Sequence, residues 1–164
     1  MNRNIALIFT FFLLVFLFPL AASSQKHHDM PALDNRSGLK AFFDIKADSA
    51  AKVEKRLEWI NDIYEQMTQK GGEATFIIGF RSQASFFVTR GDEDLDEDDL
   101  PTKRKIEKWL KHFARLGIPL EQCGLSAELY DIDPQDFLPE ITVVKNGYIS
   151  MIKYQNKGYA YVPM

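Results

Sequence analysis

The stretch "LKAFFDIKADSAAKVEKRLEWINDIYEQMTQKGGEATFIIGF", residues 39–80, decides the fold. Residues 39–47 alternate and carry aromatic side chains, the pattern of a strand. Asp48 and Ser49 follow as candidate N-caps. Val53, Leu57, Ile60, Ile63, Tyr64 and Met67 then recur at three- and four-residue spacing, which predicts an amphipathic helix closed by Gly71 and Gly72. Residues 73–80, "EATFIIGF", are a short apolar run of the kind that forms a strand buried on both faces.

The same alternation continues beyond residue 80. "RSQASFFVTR" (81–90) offers a short strand or helical turn at Ser85 to Val88, and the acidic run "DEDLDEDD" (92–99) follows it. Residues 102–117 place Ile106, Trp109, Leu110, Phe113 and Leu116 on one helical face, with Gly117 as the stop. "IPLEQC" (118–123) reads as a third strand, and a helix opens at Gly124. Pro134 starts a helical turn, residues 140–147 form a fourth strand ending in an Asn-Gly turn, 148–158 a helix, and "YAYVP" a last strand. Strand and helix in strict succession predict an α/β domain with a mainly parallel sheet and helices on both faces, joined by right-handed crossovers.

The N-terminus is of another kind. Arg3 precedes an apolar run of 14 residues, Ile5 to Phe18, and small residues follow at Ala21, Ala22, Ser23 and Ser24. That run is shorter than the roughly 20 residues needed to span a bilayer. The pattern is that of a secretory signal peptide, residues 1–24, cut after Ser24. A retained anchor is the alternative, opposed by Pro19 and the small residues, and no cysteine stands near the cut to carry a lipid. Residues 25–38 lack periodicity and read as an exposed tether. Residues 39–164 then form one domain of ordinary size. With 20 basic against 23 acidic side chains and a net charge of −3, the chain offers nucleic acid little electrostatic footprint.

Cys123 is the single cysteine, so no intrachain disulfide forms. Exported proteins commonly use cysteines in pairs. An unpaired one is inert and packed, reactive, or intermolecular.

Two segments carry a family likeness: "RLGIPLEQCGLSAELYDIDPQDFLPEITVVKNG" (115–147) and the closing "YQNKGYAYVPM" (154–164). In order and spacing they resemble the DsrE/DsrF-like family, specifically its small exported members, and the likeness extends over 39–164. The resemblance implies a three-layer α/β/α domain with a sheet of about five strands, often assembled as a homo-oligomer. It also implies a persulfide carrier in a sulfur relay, with donor and acceptor proteins as partners and the periplasm as its place. Cys123 matches the family's cysteine and is the one position to which the sulfur-accepting role carries over. The chain departs from the family after the second strand, where "GFRSQASFFVTR" and the acidic run replace a small or glycine-rich loop.

On this reading Cys123 lies where a parallel strand runs into a helix. Ligands bind beyond such strand ends, and the unpaired N–H groups of a helix start favour an anionic sulfur. The sulfur is expected to be accessible, and Gly124 to let an acceptor approach the backbone. The protein is then a carrier more than a turnover enzyme, with no cofactor, no metal and no stable membrane insertion once the signal is removed. The rival is a binding or assembly module of the same fold with a structural Cys123. A thiol enzyme drawing a base from elsewhere is a third reading, with no histidine close in sequence and His112 read as solvated.

Other features carry less. The acidic run lacks the spacing and glycine of a calcium loop and reads as a flexible solvated loop. Cleavage after Ser24 would put His27 third, a copper(II) or nickel(II) arrangement that a cyclised Gln25 would block. Asp44 and Asp48 stand near the first strand end, as caps or as lining of a site, and "YAYV" can form a sheet edge used in subunit contact.

Overall fold

A computed structural model describes residues 38–69 and 71–164. The signal segment, the tether apart from Gly38, and His27 therefore lie outside the described residues.

Five strands, β1 (Leu39–Ile45), β2 (Ala74–Phe80), β3 (Leu120–Cys123), β4 (Ile141–Val144) and β5 (Ala160–Pro163), form one sheet. Their spatial order is β4-β3-β2-β1-β5, and every pairing in it is parallel. Four helices connect them: α1 (Ala50–Thr68), α2 (Leu100–Arg115), α3 (Gly124–Leu129) and α4 (Gly147–Asn156). From β1 to β4 the chain steps across the sheet in one direction, and from β4 to β5 it returns across all of it. Crossovers of one hand therefore put α4 on the face opposite the other three helices. The packing agrees: α1 and α2 lie against each other, whereas α4 packs on β1, β3 and β5.

The two faces differ in how much apolar surface they bury. Period-two alternation sends Phe43 and Ile45 of β1 and Phe76, Ile78 and Phe80 of β2 to the α1/α2 side. There they join Val53, Leu57, Ile60, Ile106, Leu110 and Phe113 in the main core. At roughly 1.5–3 kcal/mol per large side chain removed from water, this face holds most of the stability. The α4 face buries a small cluster of Phe42, Ile77 and Met151, with Tyr154 and Tyr159 packed on it. Of the buried charged side chains, Asp44, Arg81 and Glu121 lie on this face.

Several boundaries differ from the sequence reading for local reasons. Residues Ser82–Val88 are a 3-10 helix, entered through Ser82 at φ 59°. The Asn-Gly pair at 146–147 is a helix start, because the Asn146 side chain accepts hydrogen bonds from the Tyr148 and Ile149 amides and caps α4. The acidic run is tied down at both ends. Glu97–Asp99 form a 3-10 turn leading into α2, which has Pro101 in its first turn. Asp92 bonds both Lys103, whose side chain is fully buried, and Arg104.

Candidate functional site

Cys123 is the last residue of β3 and stands immediately before α3. Its side chain falls on the α4 face, because Gln122, its neighbour, points the other way and donates to Ser85 in the 82–88 turn. The Gly147 amide, at the start of α4, donates to Cys123 Sγ at 3.3 Å. The sulfur, expected to be accessible, is 3% exposed, because the first turn of α4 closes directly over it. Gly147 is what allows that approach: a Cβ there would lie 3.0 Å from Sγ and 2.9 Å from Cys123 Cβ.

Charged side chains stand among apolar ones around the sulfur. Asp44, Gly79 and Glu121 sit side by side in register on β1, β2 and β3, all on the α4 face. With no side chain at Gly79, the ring of Phe42 covers the strand, 2.7 Å from where a Cβ would stand. Two residues past Gly79, just beyond the end of β2, comes Arg81, itself extended. It donates its amide to Ile45 O of β1, so it continues the strand and falls opposite Cys123. A cavity of about 10 Å³, room for one water, is bounded by Asp44, Gly79, Arg81, Glu121, Cys123 and Gly147 among others.

Each charged group there has defined partners. Arg81, 8% exposed, grips Asp44 bidentately through Nε and Nη2. Asp44 also accepts from the Tyr161 hydroxyl at 2.7 Å, and the Tyr148 ring lies over the guanidinium at 4.5 Å. The hydrogen bonds to Asp44, stronger than the opposing burial, raise the basicity of Arg81 further, and burial followed by the Asp44 contact raises the Tyr161 phenol. Glu121 accepts from Ser150 Oγ at 2.5 Å and from the Tyr154 hydroxyl at 3.1 Å. Burial first, and then the Glu121 charge, pushes the Tyr154 phenol up to about 12.

Of the other residues singled out in the sequence, Asp44 lines this site, whereas Asp48 is exposed and pairs with Lys52 at 2.7 Å. His112 is not a solvated residue apart from its aromatic neighbours. Its ring packs at 5.7 Å from Trp109 and 5.5 Å from Phe113 and bonds Asn61 at 2.9 Å. The three-residue spacing from Trp109 puts them on one helical face. That helix, α2, lies on the side of the sheet away from Cys123, so His112 does not pair with it. Arg81 and Glu121 escaped the sequence reading. Each had a faint signal, a charge at the end of or inside an otherwise apolar strand.

Comparisons with known proteins bear on the fold and the family. A protein of Aquifex aeolicus (strain VF5) described as uncharacterized is 30% identical over 133 residues, covering 77% of this chain and 56% of that protein. The chain thus spans little more than half the length of that relative. Two solved structures share the fold: the protein of unknown function MTH1491 from Methanobacterium thermoautotrophicum and the ychN protein from E. coli. The first superposes with a TM-score of 0.59 at 15% identity and the second with 0.57 at 10%, each over 77% of this chain and 99% of the other. The five-stranded parallel sheet and a family model matching residues 40–164 agree, and the chain belongs to the DsrE/DsrF-like family.

Proposed function

We propose that this protein carries sulfane sulfur as a persulfide on Cys123. The observation that carries the reading is the sulfur's position, at the carboxyl end of a central parallel strand, facing the Gly147 amide beside a small cavity that Asp44, Arg81 and Glu121 share with Phe42, Phe80 and Val144. In the step envisaged, Cys123 as a thiolate attacks the terminal sulfur of a persulfide, R–S–SH. A Cys123 S–S bond forms, the donor's S–S bond breaks, and the donor leaves as a thiolate that takes up a proton. One cysteine suffices, because the second sulfur comes from the donor. Access requires the first turn of α4, with the exposed Tyr148, to swing away from the sulfur.

The same reading includes export and homo-oligomer formation. Export rests on the pattern of residues 1–24, and the periplasm as its place rests on the family likeness. A second copy as partner rests on the exposed apolar side chains Leu129, Ile149 and Ile152, together with β4 and β5 as the edge strands of the sheet.

Intact-mass measurement after incubation with a low-molecular persulfide is the test. A gain of about 32 Da, reversed by dithiothreitol and absent in Cys123→Ser, is the expected result. The 3% exposure of Cys123 favours a second reading, a structural thiol in a binding module. An unchanged mass, with alkylation of Cys123 only after unfolding, would establish that reading instead.

A further inference from the structure

Glu121 is a buried charge that the sulfur chemistry has so far left idle. It lies within β3 and is 9% exposed, and among the described residues no cation pairs with it. A carboxylate withdrawn from water is costly unless other groups hold it. Here two neutral hydroxyls from α4 do so, Ser150 on one oxygen and Tyr154 on the other. The elevated Tyr154 phenol remains a donor throughout the neutral range.

Cys123 follows Glu121 by two residues on the same strand, so both side chains stand on the α4 face. Both border the cavity of about 10 Å³, the least room that accommodates one water. Sγ accepts from Gly147, but among the described residues nothing accepts the thiol proton. The second carboxylate at the cavity, Asp44, has both oxygens taken by Arg81 and one also by Tyr161. Glu121 is held by neutral donors alone and is the group left to receive a proton.

We propose that Glu121 is the proton acceptor for Cys123, acting through one water in this cavity, with Ser150 and Tyr154 as positioning residues. The proposal rests on Cys123 accepting sulfur. As the water takes the thiol proton it passes one to the Glu121 carboxylate. The freed electron pair on Sγ forms the bond to the terminal sulfur of the persulfide. The donor thiolate departs with the electrons of the broken S–S bond and regains the proton from Glu121 by the same water. Sulfur moves between thiols with no net oxidation and no net change in protons.

The test is the rate of Cys123 alkylation by iodoacetamide in the folded full chain from pH 5 to 10, for wild type and Glu121→Gln. Glutamine keeps the shape but cannot take the proton. The wild-type rate should persist on the acid side, while the Glu121→Gln rate falls there by about tenfold or more and rejoins it near pH 10. A Glu121 that takes no proton and only stays charged beside the thiol would hold back the thiolate, so Glu121→Gln would then react faster on the acid side; that result overturns the assignment, and so do superimposable profiles. Should Glu121→Gln fail to fold, Tyr154→Phe keeps the carboxylate and removes one donor. A changed acid limb then supports the role, and an unchanged one sinks it. Persulfide uptake by mass is scored separately. Sulfur gain with superimposable profiles removes Glu121 and leaves the carrier; no gain with the expected acid limb removes the carrier and the sulfur step with it, and leaves Glu121 as the proton acceptor of the thiol.

Discussion

At the residue scale, the pair Asp44–Arg81 joins the ends of two neighbouring strands beneath the aromatic cover of Tyr148. Asp44 is 1% exposed, and removing one partner of such a pair strands the other charge in a poorly hydrated place. Asp44→Asn is expected to destabilise the protein by about 3–5 kcal/mol, read as a lower urea midpoint at unchanged slope. A loss under about 1 kcal/mol, the range of exposed pairs, would show that the guanidinium finds water instead. Asp44 was legible in the sequence as an acid near a strand end. Its partner was not, because the two lie 37 positions apart and sheet register alone brings them together.

At the element scale, α4 decides whether Cys123 is open or covered. Asn and Gly serve hairpin turns and helix starts alike, so "VVKNGY" reads as a turn in isolation. The amides of Tyr148 and Ile149 on the Asn146 side chain make it a cap. Gly147 then has a packing duty against the cysteine. Alanine favours a helix over glycine by up to about 1 kcal/mol, yet its Cβ would meet Cys123 at distances that force α4 outward. Overpacking of this kind costs about 1–3 kcal/mol. Gly147→Ala should therefore lower the melting temperature despite the better propensity and speed alkylation of Cys123 in the native state. A more stable variant with a slower thiol would contradict the packing described.

At the scale of the whole molecule, stability on the acid side depends on how the 92–99 run is tied to α2. The Lys103 hydrogen bond, first among several causes, holds the Asp92 carboxyl below its ordinary value. A carboxyl lowered in the folded state contributes stability in full above the ordinary carboxylate range, about pH 4, and loses it as pH falls through the lower folded value. Melting temperature measured from pH 7 down to 2 should drop below about pH 4. The gap between wild type and Asp92→Asn should be widest near neutrality and shrink toward pH 2. A gap that stays constant with pH would rule out the Asp92 charge as its source.

Read alone, the amino-acid sequence determined the α/β class, the order of its elements, the parallel sheet and the placing of Cys123 at a strand end before a helix. Those features follow from local periodicity, from period two in strands and near 3.6 in helices, and from the crossover that every parallel pair requires. What the tertiary structure alone decided is the company the sulfur keeps. Arg81 falls opposite it through the register of β2 on β3, Glu121 receives hydroxyls from α4, and the start of α4 closes above it. The reason is physical: contacts between residues tens of positions apart depend on strand order and on which face each crossover covers. Neither quantity is written in the spacing of residues along the chain.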